Sequence, residues 1–288
     1  MKLYTYQRAD GAERLAVALQ DKLYDLAQFG AHYADMNALI ADGAAALPAE
    51  LDPAGKQPLD EPVRLCAPIP HPRQDVLCLG INYAAHAVES SRFHAEAFGG
   101  DRPKAIYFSK RVSRASGDGD PIPSYPGLVD SLDYECELGV ILGKDAFCVQ
   151  PEDVSDYIFG YTIVNDVSAR NLQTAHRQWY FGKSLDGFLP CGPCILTADE
   201  VPFPPVLDIR CSVNGELRQN STTALLIHSI ADIIAELSRG MTLCAGTIIA
   251  TGTPAGVGMG MQPPQFLKPG DTVVCEIEGI GALHNTVE

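Results

Sequence analysis

The stretch SLDYECELGVILGK, residues 131–144, joins three alternating carboxylates to an apolar run. Successive side chains of a β-strand point to opposite faces, so Asp133, Glu135 and Glu137 are predicted on one face of a strand. Such like charges repel, and an unpaired carboxylate is costly where a strand enters a core. The stretch therefore predicts a strand running into the core, whose acids hold a cation.

Strand-like runs also dominate most of the chain outside this stretch. They are VLCLGIN, IFGYTIVND, PCILT, VLDIRCSVNGELR, TIIATGT and DTVVCEIEGIG. The dipeptide Asn214-Gly215 lies between two alternating segments and predicts a hairpin, because both residues accept positive φ. Helical patterns are few, at about 84–97, 168–180 and 228–239. Since strands cluster instead of alternating with helices, we expect a mixed α/β, β-rich fold built as a mixed β-roll or sandwich.

The first part of the chain has a different pattern. LYTYQ, LAVAL and KLYDL alternate and predict short strands, and the Ala-rich stretch 33–47 predicts a helix. The segment 51–72 carries six prolines and is the best linker candidate. We therefore predict a small accessory domain with its linker over 1–70 and a larger catalytic domain over 71–288.

The net charge and the composition exclude several classes of binding partner and indicate the cellular compartment. The net charge is -15, and no Lys/Arg-rich segment interrupts it, so nucleic acid and anionic membranes are not expected as partners. The start of the chain lacks the apolar core of a signal peptide, and no window approaches 18 uninterrupted apolar residues. The nine scattered cysteines fit buried thiols in a reducing compartment. We expect a soluble, cytoplasmic protein.

One cysteine pair needs separate attention. Cys191-Gly-Pro-Cys194 copies the redox tetrapeptide of thioredoxins, which requires the first cysteine at a helix N-terminus. Here the flanking GFLP and ILTADEVPFPP predict a turn leading into a short strand. We therefore expect a Gly-Pro turn between two structural cysteines, with thiol–disulfide exchange as the alternative.

Two further constellations are typical of active sites. His86 and Glu89 lie three residues apart in GINYAAHAVES, so on a helix the carboxylate can orient the imidazole. Alone, this pattern more often marks a surface pair. Lys183 lies in a Gly/Ser context that predicts a loop, and Thr251–Pro254 predicts a tight turn exposing amides and two hydroxyls. Both features suit a carboxylate or oxyanion. The following GVGMG run is not a dinucleotide fingerprint, because prolines stand where the helix should begin.

The remaining constellation concerns a metal. In YTIVNDVSARNLQ, Asp166 ends a strand, and Ser168 is placed to cap a short helix with Arg170 and Gln173 on one face. Asp166 is equally well explained as a helix-start residue. Together with the acids of the opening stretch it offers three oxygen ligands, which suit Mg²⁺, Mn²⁺ or Ca²⁺. Zinc is disfavoured, because the sequence shows no histidine or cysteine cluster beside these acids.

The ordered blocks GINYAAH, DYECELGVILGK, GYTIVNDVSARNLQ, GKSLDGFLPCGP and ATGTPAGVG resemble the fumarylacetoacetate hydrolase family over about 75–288. The resemblance implies a mixed β-roll that binds Mg²⁺ or Mn²⁺, and a lid over about 84–104. It implies metal ligands at Glu135, Glu137 and Asp166, catalytic residues at His86, Glu89 and Lys183, and substrate contacts at Arg170, Gln173, Thr251, Gly252 and Thr253. Asp133 matches no ligand position of the family, and we expect it to support a ligand or to face solvent.

Members of this family act largely on 2-keto or 2,4-diketo acids. We therefore predict a divalent-metal-dependent hydrolase that cleaves a carbon–carbon bond in an acylpyruvate- or fumarylpyruvate-type acid, with His86 activating water. The alternative is an isomerase or decarboxylase of a hydroxymuconate- or oxaloacetate-type 2-keto diacid. A non-catalytic metal-binding protein would need neither His86 nor Lys183. The expected partner is a small anionic keto acid, and we expect a homodimer.

Overall fold

The computed structural model describes residues 1–43, 47–48, 51–60, 63–93 and 104–288. Its strands are β1 (Lys2–Gln7), β2 (Glu13–Leu19), β3 (Lys22–Asp25), β4 (Arg64–Leu65), β5 (Val76–Gly80), β6 (Ile106–Lys110), β7 (Pro121–Ile122), β8 (Leu132–Asp133), β9 (Cys136–Leu142), β10 (Ile158–Asn165), β11 (Ser168–Ala169), β12 (Cys191–Thr197), β13 (Asp208–Val213), β14 (Glu216–Thr222), β15 (Ile248–Ala250), β16 (Thr272–Ile277) and β17 (Gly281–Val287). Its α-helices are α1 (Met36–Asp42), α2 (Ala84–Phe93), α3 (Arg170–Ala175), α4 (Tyr180–Lys183) and α5 (Ile230–Ser238).

Two large sheets form the body of the molecule. The larger has the strand order β3-β2-β1-β12-β10-β9-β15-β5-β6, with β4 added against β1. The smaller has the order β14-β13-β16-β17-β7, and β8 pairs with β11 in a short ribbon. Most neighbours are antiparallel, while β15–β5 and β17–β7 are parallel. The structure therefore has the mixed, β-rich architecture expected from the sequence.

Strand β9 lies at the centre and is buried along its whole length. Leu138 and Val140 face the core shared with the smaller sheet, whereas Ile141 faces a second core on the other side. A strand buried on both faces needs apolar residues at consecutive positions, which explains the run that follows the acids. The acidic stretch thus leads into a strand that is buried at every position.

The N-terminal strands were predicted correctly, and they extend the larger sheet. Lys2 and Leu3 of β1 pair with Leu196 and Ile195 of β12. Helix α1 lies within the Ala-rich stretch, of which residues 44–46 lie outside the described part. The division into domains at residue 70 stays a prediction, although both proposed parts contribute strands to one sheet.

Several local predictions changed in the structure. The hairpin at Asn214-Gly215 is confirmed, with φ of 52° and 79° at its two residues. The predicted helix 168–180 is instead strand β11, helix α3 and, beyond a break, helix α4. Ser168 does not cap α3, because its hydroxyl donates to the carbonyl of Asp166. Cys191-Gly-Pro-Cys194 is the start of strand β12 and not a turn.

Among the described residues, no helix is long and apolar enough to cross a membrane. The predicted lid begins with α2, and residues 94–103 of it lie outside the described part of the chain.

Candidate active site

The candidate site lies where β9 and β10 meet helices α2, α3 and α4. Its cavity is lined by Leu79, Gly80, Ile81, His86, Phe108, Glu135, Glu137, Arg170, Gln173, Trp179, Lys183, Thr253 and Met259. These residues come from widely separated parts of the sequence, and they include most of the predicted site residues. The free volume between the side chains is about 10 Å³. This is room for about one water molecule.

Three buried carboxylates form the floor of the site. Glu135, Glu137 and Asp166 each place one carboxylate oxygen within 4.8 Å of the others. The pairing of Glu137 with Val164, and the N–H of Asp166 donating to the carbonyl of Glu135, bring the two strand regions together. The predicted set of three acids is therefore brought together by the fold.

Three buried cations surround these acids. Lys183 Nζ lies 2.8 Å from Glu135 and 2.7 Å from Asp166. Arg170 Nη2 lies 2.6 Å from Glu135, and Lys110 Nζ lies 2.5 Å from Asp166. Glu137 instead accepts a hydrogen bond of 2.8 Å from the backbone N–H of Gly252. The three acids thus differ in how their charge is compensated.

The pKa shifts follow from this difference. Burial raises the pKa of Glu135, but the charges of Lys183 and Arg170 outweigh burial and hold that pKa below its usual value. Burial, with the neighbouring Asp166 and Glu135, raises the pKa of Glu137 well above its usual value. Burial lowers the pKa of Lys183, yet Asp166 and Glu135 outweigh it and leave a net increase. Without a cation beside it, the ionised form of Glu137 is therefore disfavoured.

These residues fit a hard divalent cation. Mg²⁺ and Mn²⁺ prefer carboxylate oxygens, and a cation beside Glu137 would relieve the repulsion that raises its pKa. Glu135, Glu137 and Asp166 would hold the ion.

Helix α2 brings His86 and Glu89 together at the cavity. His86 Nδ1 lies 3.2 Å from Glu89 Oε1, and only 4% of His86 is exposed. With the carboxylate as acceptor, Nδ1 carries the proton and Nε2 is left as the acceptor, 3.3 Å from the hydroxyl of Ser90. His86 is therefore buried and Glu89 half-buried, so this is not the surface pair that the pattern alone favours.

The substrate-contacting candidates behave in two ways. Arg170 and Gln173 are buried, line the cavity and are joined by a hydrogen bond of 3.0 Å. The threonine turn was expected to expose donors, but Thr251 and Thr253 donate to the carbonyls of Leu138 and Cys136. These hydroxyls hold the turn against β9, because they satisfy carbonyls of the strand that carries Glu137. Substrate binding by Thr251, Gly252 and Thr253 stays a prediction, although Thr253 lines the cavity.

Two functional neighbours were missed or misread from the sequence. Lys110 ends β6, is 1% exposed, and donates to Asp166 and to the carbonyl of Val167. A lysine closing the apolar strand IYFSK was the available signal. Asp133 was expected to support a ligand or to face solvent, and the solvent-facing alternative is wrong. It is fully buried and accepts from Arg170 Nε at 2.9 Å.

The local prediction for Lys183 was wrong, because Lys183 ends helix α4 and is not in the predicted loop.

The cysteine pair in β12 lacks the features of a redox site. Both thiols are buried, and burial raises the pKa of Cys191 to about 12 and that of Cys194 to about 11. A thiol reacts as its thiolate, so both residues are held in the unreactive form near neutral pH.

We expect iodoacetamide at pH 8 to label the exposed Cys148 of the native protein and to leave Cys191 and Cys194 unlabelled. Both pKa values lie well above the working pH, and access is blocked by packing. Peptide mass spectrometry over a time course measures the three rates in one sample, with guanidinium-unfolded protein as the control. Equal labelling of Cys148 and Cys191 in the native state would revive thiol–disulfide exchange.

Comparison with known proteins agrees with this geometry. Residues 75–288 match the family model described as fumarylacetoacetate (FAA) hydrolase C-terminal. The chain is 44% identical over 225 residues to oxaloacetate tautomerase YisK of Bacillus subtilis (strain 168), covering 78% of this chain and 73% of that protein.

Two solved structures are also similar. Fumarylacetoacetate hydrolase (EaFAH) from Exiguobacterium antarcticum has a TM-score of 0.87 and 40% identity, covering 100% of this chain and 99% of that chain. Maleylpyruvate hydrolase from Sphingobium sp. SYK-6, in complex with manganese (II) ion and pyruvate, has a TM-score of 0.74 and 32% identity, covering 100% and 98%. With the family match, the ordered motifs and the buried acidic site in agreement, the chain belongs to the fumarylacetoacetate hydrolase family.

Proposed function

We propose that this protein catalyses keto–enol tautomerisation of a short 2-keto dicarboxylate of the oxaloacetate class. The observation that carries this choice is the 44% identity, over 225 residues, to a protein named oxaloacetate tautomerase. The site supports it, because His86, Arg170 and Lys183 line one cavity together with Glu135 and Glu137. The reaction needs one proton acceptor and a charged environment for an enolate, and the site provides both.

Arg170 is the group best placed to bind a substrate carboxylate. Its Nε and Nη1 are used by Asp133 and Gln173. Its buried Nη2 pairs with Glu135 at 2.6 Å. A guanidinium carries five N–H donors and is fixed here by three partners, so the second hydrogens of Nη1 and Nη2 remain for a substrate carboxylate.

His86 is the candidate base for the C3 proton of the substrate. Glu89 holds the proton of Nδ1, so Nε2 can accept the substrate proton and return it. Lys183 remains charged, since Asp166 and Glu135 raise its pKa, and it stabilises negative charge that develops on the 2-keto oxygen. A divalent ion held by Glu135, Glu137 and Asp166 would add Lewis-acid stabilisation of the same charge.

Hydrolysis of an acylpyruvate, our expectation from the sequence, is the second candidate. It is favoured by the similarity to EaFAH and to maleylpyruvate hydrolase. Hydrolysis uses the same base but needs an additional water at the distal carbonyl. The two reactions therefore differ in products and not in the residues that they require.

The test compares both reactions on one preparation with Mg²⁺ or Mn²⁺. We expect the ultraviolet absorbance of enol-oxaloacetate to decay faster with enzyme than with the metal alone, without pyruvate formation. Acetylpyruvate and fumarylpyruvate are assayed in parallel for pyruvate with lactate dehydrogenase. Release of pyruvate from either acid with a higher kcat/KM than tautomerisation would establish hydrolysis, and pyruvate from oxaloacetate would establish decarboxylation.

A further inference from the structure

The run Gly256-Val-Gly-Met-Gly260 binds two carboxylates with four successive backbone amides. Gly256 and Val257 donate to Glu89 at 2.9 and 3.3 Å. Gly258 and Met259 donate to Asp133 at 2.7 and 3.0 Å. Amide donors to ionised acids form strong hydrogen bonds, so both side chains are fixed firmly.

The glycines of this run are required by close contacts. A Cβ at Gly258 would lie 2.7 Å from Asp133 Oδ1, and one at Gly260 would lie 2.5 Å from Glu89 Cδ. A Cβ at Gly256 would lie 1.9 Å from the carbonyl oxygen of Arg218. The pattern that fails as a nucleotide fingerprint is therefore explained by two acids and a neighbouring strand packing directly against the backbone.

Each of these two carboxylates also accepts a hydrogen bond from one side chain of the candidate site. Glu89 accepts from His86 Nδ1 at 3.2 Å, on helix α2. Asp133 accepts from Arg170 Nε at 2.9 Å, at the start of α3. The glycine run is thus the physical link between the candidate base and the candidate carboxylate-binding group.

We propose that residues 256–260 form an amide clamp that fixes His86 relative to Arg170, with Asp133 and Gly260 as positioning residues. The part of this inference that concerns substrate rests on the proposed function. The clamp itself depends on packing alone, because the two amides that bind Glu89 are followed directly by the two that bind Asp133, and movement of one pair displaces the other. If the clamp exists, a substitution at Asp133 should also alter helix α2, which carries His86, and a substitution at Gly260 should also alter binding at Arg170.

The test uses Asp133→Asn and Gly260→Ala, with Gly240→Ala as the matched control. Asparagine keeps the size of Asp133 but offers an amide group to donors, whereas alanine at 260 pushes against Glu89. A Cβ at Gly240 meets nothing within 4 Å. Mn²⁺ binding stoichiometry, measured by electron paramagnetic resonance, counts the folded sites in each preparation.

Hydrogen–deuterium exchange measures the mobility of helix α2 in the absence of substrate. We expect both variants to speed exchange of the amides of α2 by roughly 10-fold and to leave β13 and β14 unchanged. Gly240→Ala should match the wild type throughout. Unchanged exchange of α2 in Asp133→Asn would overturn the clamp, because Asp133 would then have no effect on the helix that carries His86. Faster exchange throughout the chain would also overturn it, because the effect would then be general and not specific to α2.

Calorimetry with oxalate, a planar mimic of a pyruvate enolate, measures ligand binding at the Arg170 end of the clamp. We expect Asp133→Asn to weaken oxalate binding by about 10- to 100-fold, the usual range for a charged hydrogen bond. Gly260→Ala should weaken it by roughly threefold through the clamp. Unchanged oxalate affinity in both variants would overturn the role of Asp133. Failure of the wild type to bind oxalate would instead count against the proposed function, and the exchange result would still decide the clamp.

Discussion

Replacing Glu137 with glutamine is expected to weaken Mn²⁺ binding by roughly 100-fold or more and to abolish activity. Glutamine keeps the size of the side chain and can still accept from Gly252, so the change removes mainly charge. Loss of an outer hydrogen-bond partner of a ligand already costs about 10- to 100-fold in affinity, and Glu137 is a predicted direct ligand. Titration of Mn²⁺ followed by electron paramagnetic resonance measures the dissociation constant.

Thermal unfolding gives an independent measurement for this variant. Burial and like charges penalise the ionised Glu137 without metal, so Glu137→Gln should have an unchanged or higher Tm in EDTA. Mn²⁺ should raise the Tm of the wild type and of Glu152→Gln, an exposed control, but not that of Glu137→Gln. Equal Mn²⁺ affinity in all three proteins would exclude Glu137 as a ligand.

Replacing His86 with alanine is expected to lower kcat by roughly 10²- to 10⁴-fold, the usual contribution of a positioned general base. Mn²⁺ binding should stay within a few-fold of the wild type, because His86 is not among the three acids. Glu89→Gln should cost less, since it changes the group that orients the base and leaves the proton acceptor in place. Exchange of the C3 protons of oxaloacetate into D₂O follows the proton transfer directly.

His32→Ala is the control for this experiment, because His32 is exposed and lies in the N-terminal part of the chain. A wild-type exchange rate in His86→Ala would show that the proton does not pass through His86. That result would refute tautomerisation through His86. A wild-type rate of pyruvate release from acetylpyruvate in His86→Ala would refute the hydrolysis candidate, in which His86 activates water.

Much of the site could be predicted because its residues lie in short, ordered motifs. Glu135 and Glu137 alternate within one stretch, and His86 and Glu89 are one helical turn apart. Local periodicity fixes such relationships before any tertiary contact forms. The strand content and the hairpin at Asn214-Gly215 followed from the same kind of local signal.

The remaining features depend on contacts that spacing does not reveal. Lys110 meets Asp166 across 56 positions of sequence, and Asp133 meets Gly258 across 125. The sequence predicted that the hydroxyl of Thr251 is free to bind a ligand, but it donates to the carbonyl of Leu138. Helix α3 begins at Arg170 without a side-chain cap, because the hydroxyl of Ser168 donates to the carbonyl of Asp166. Which donor finds which acceptor is decided by the folded core.

The pairing of β1 with β12 has a consequence for how the chain is made. Leu3 meets Ile195, so β1 pairs with a strand that is synthesised much later than β1 itself. Until then β1–β3 form a meander with an open edge, and such an edge can pair with other chains. Pairing so distant in sequence is also slow, because a long loop must close first. Between synthesis of β3 and of β12, the part of the β1 edge that β12 later covers is therefore open to pairing with other chains.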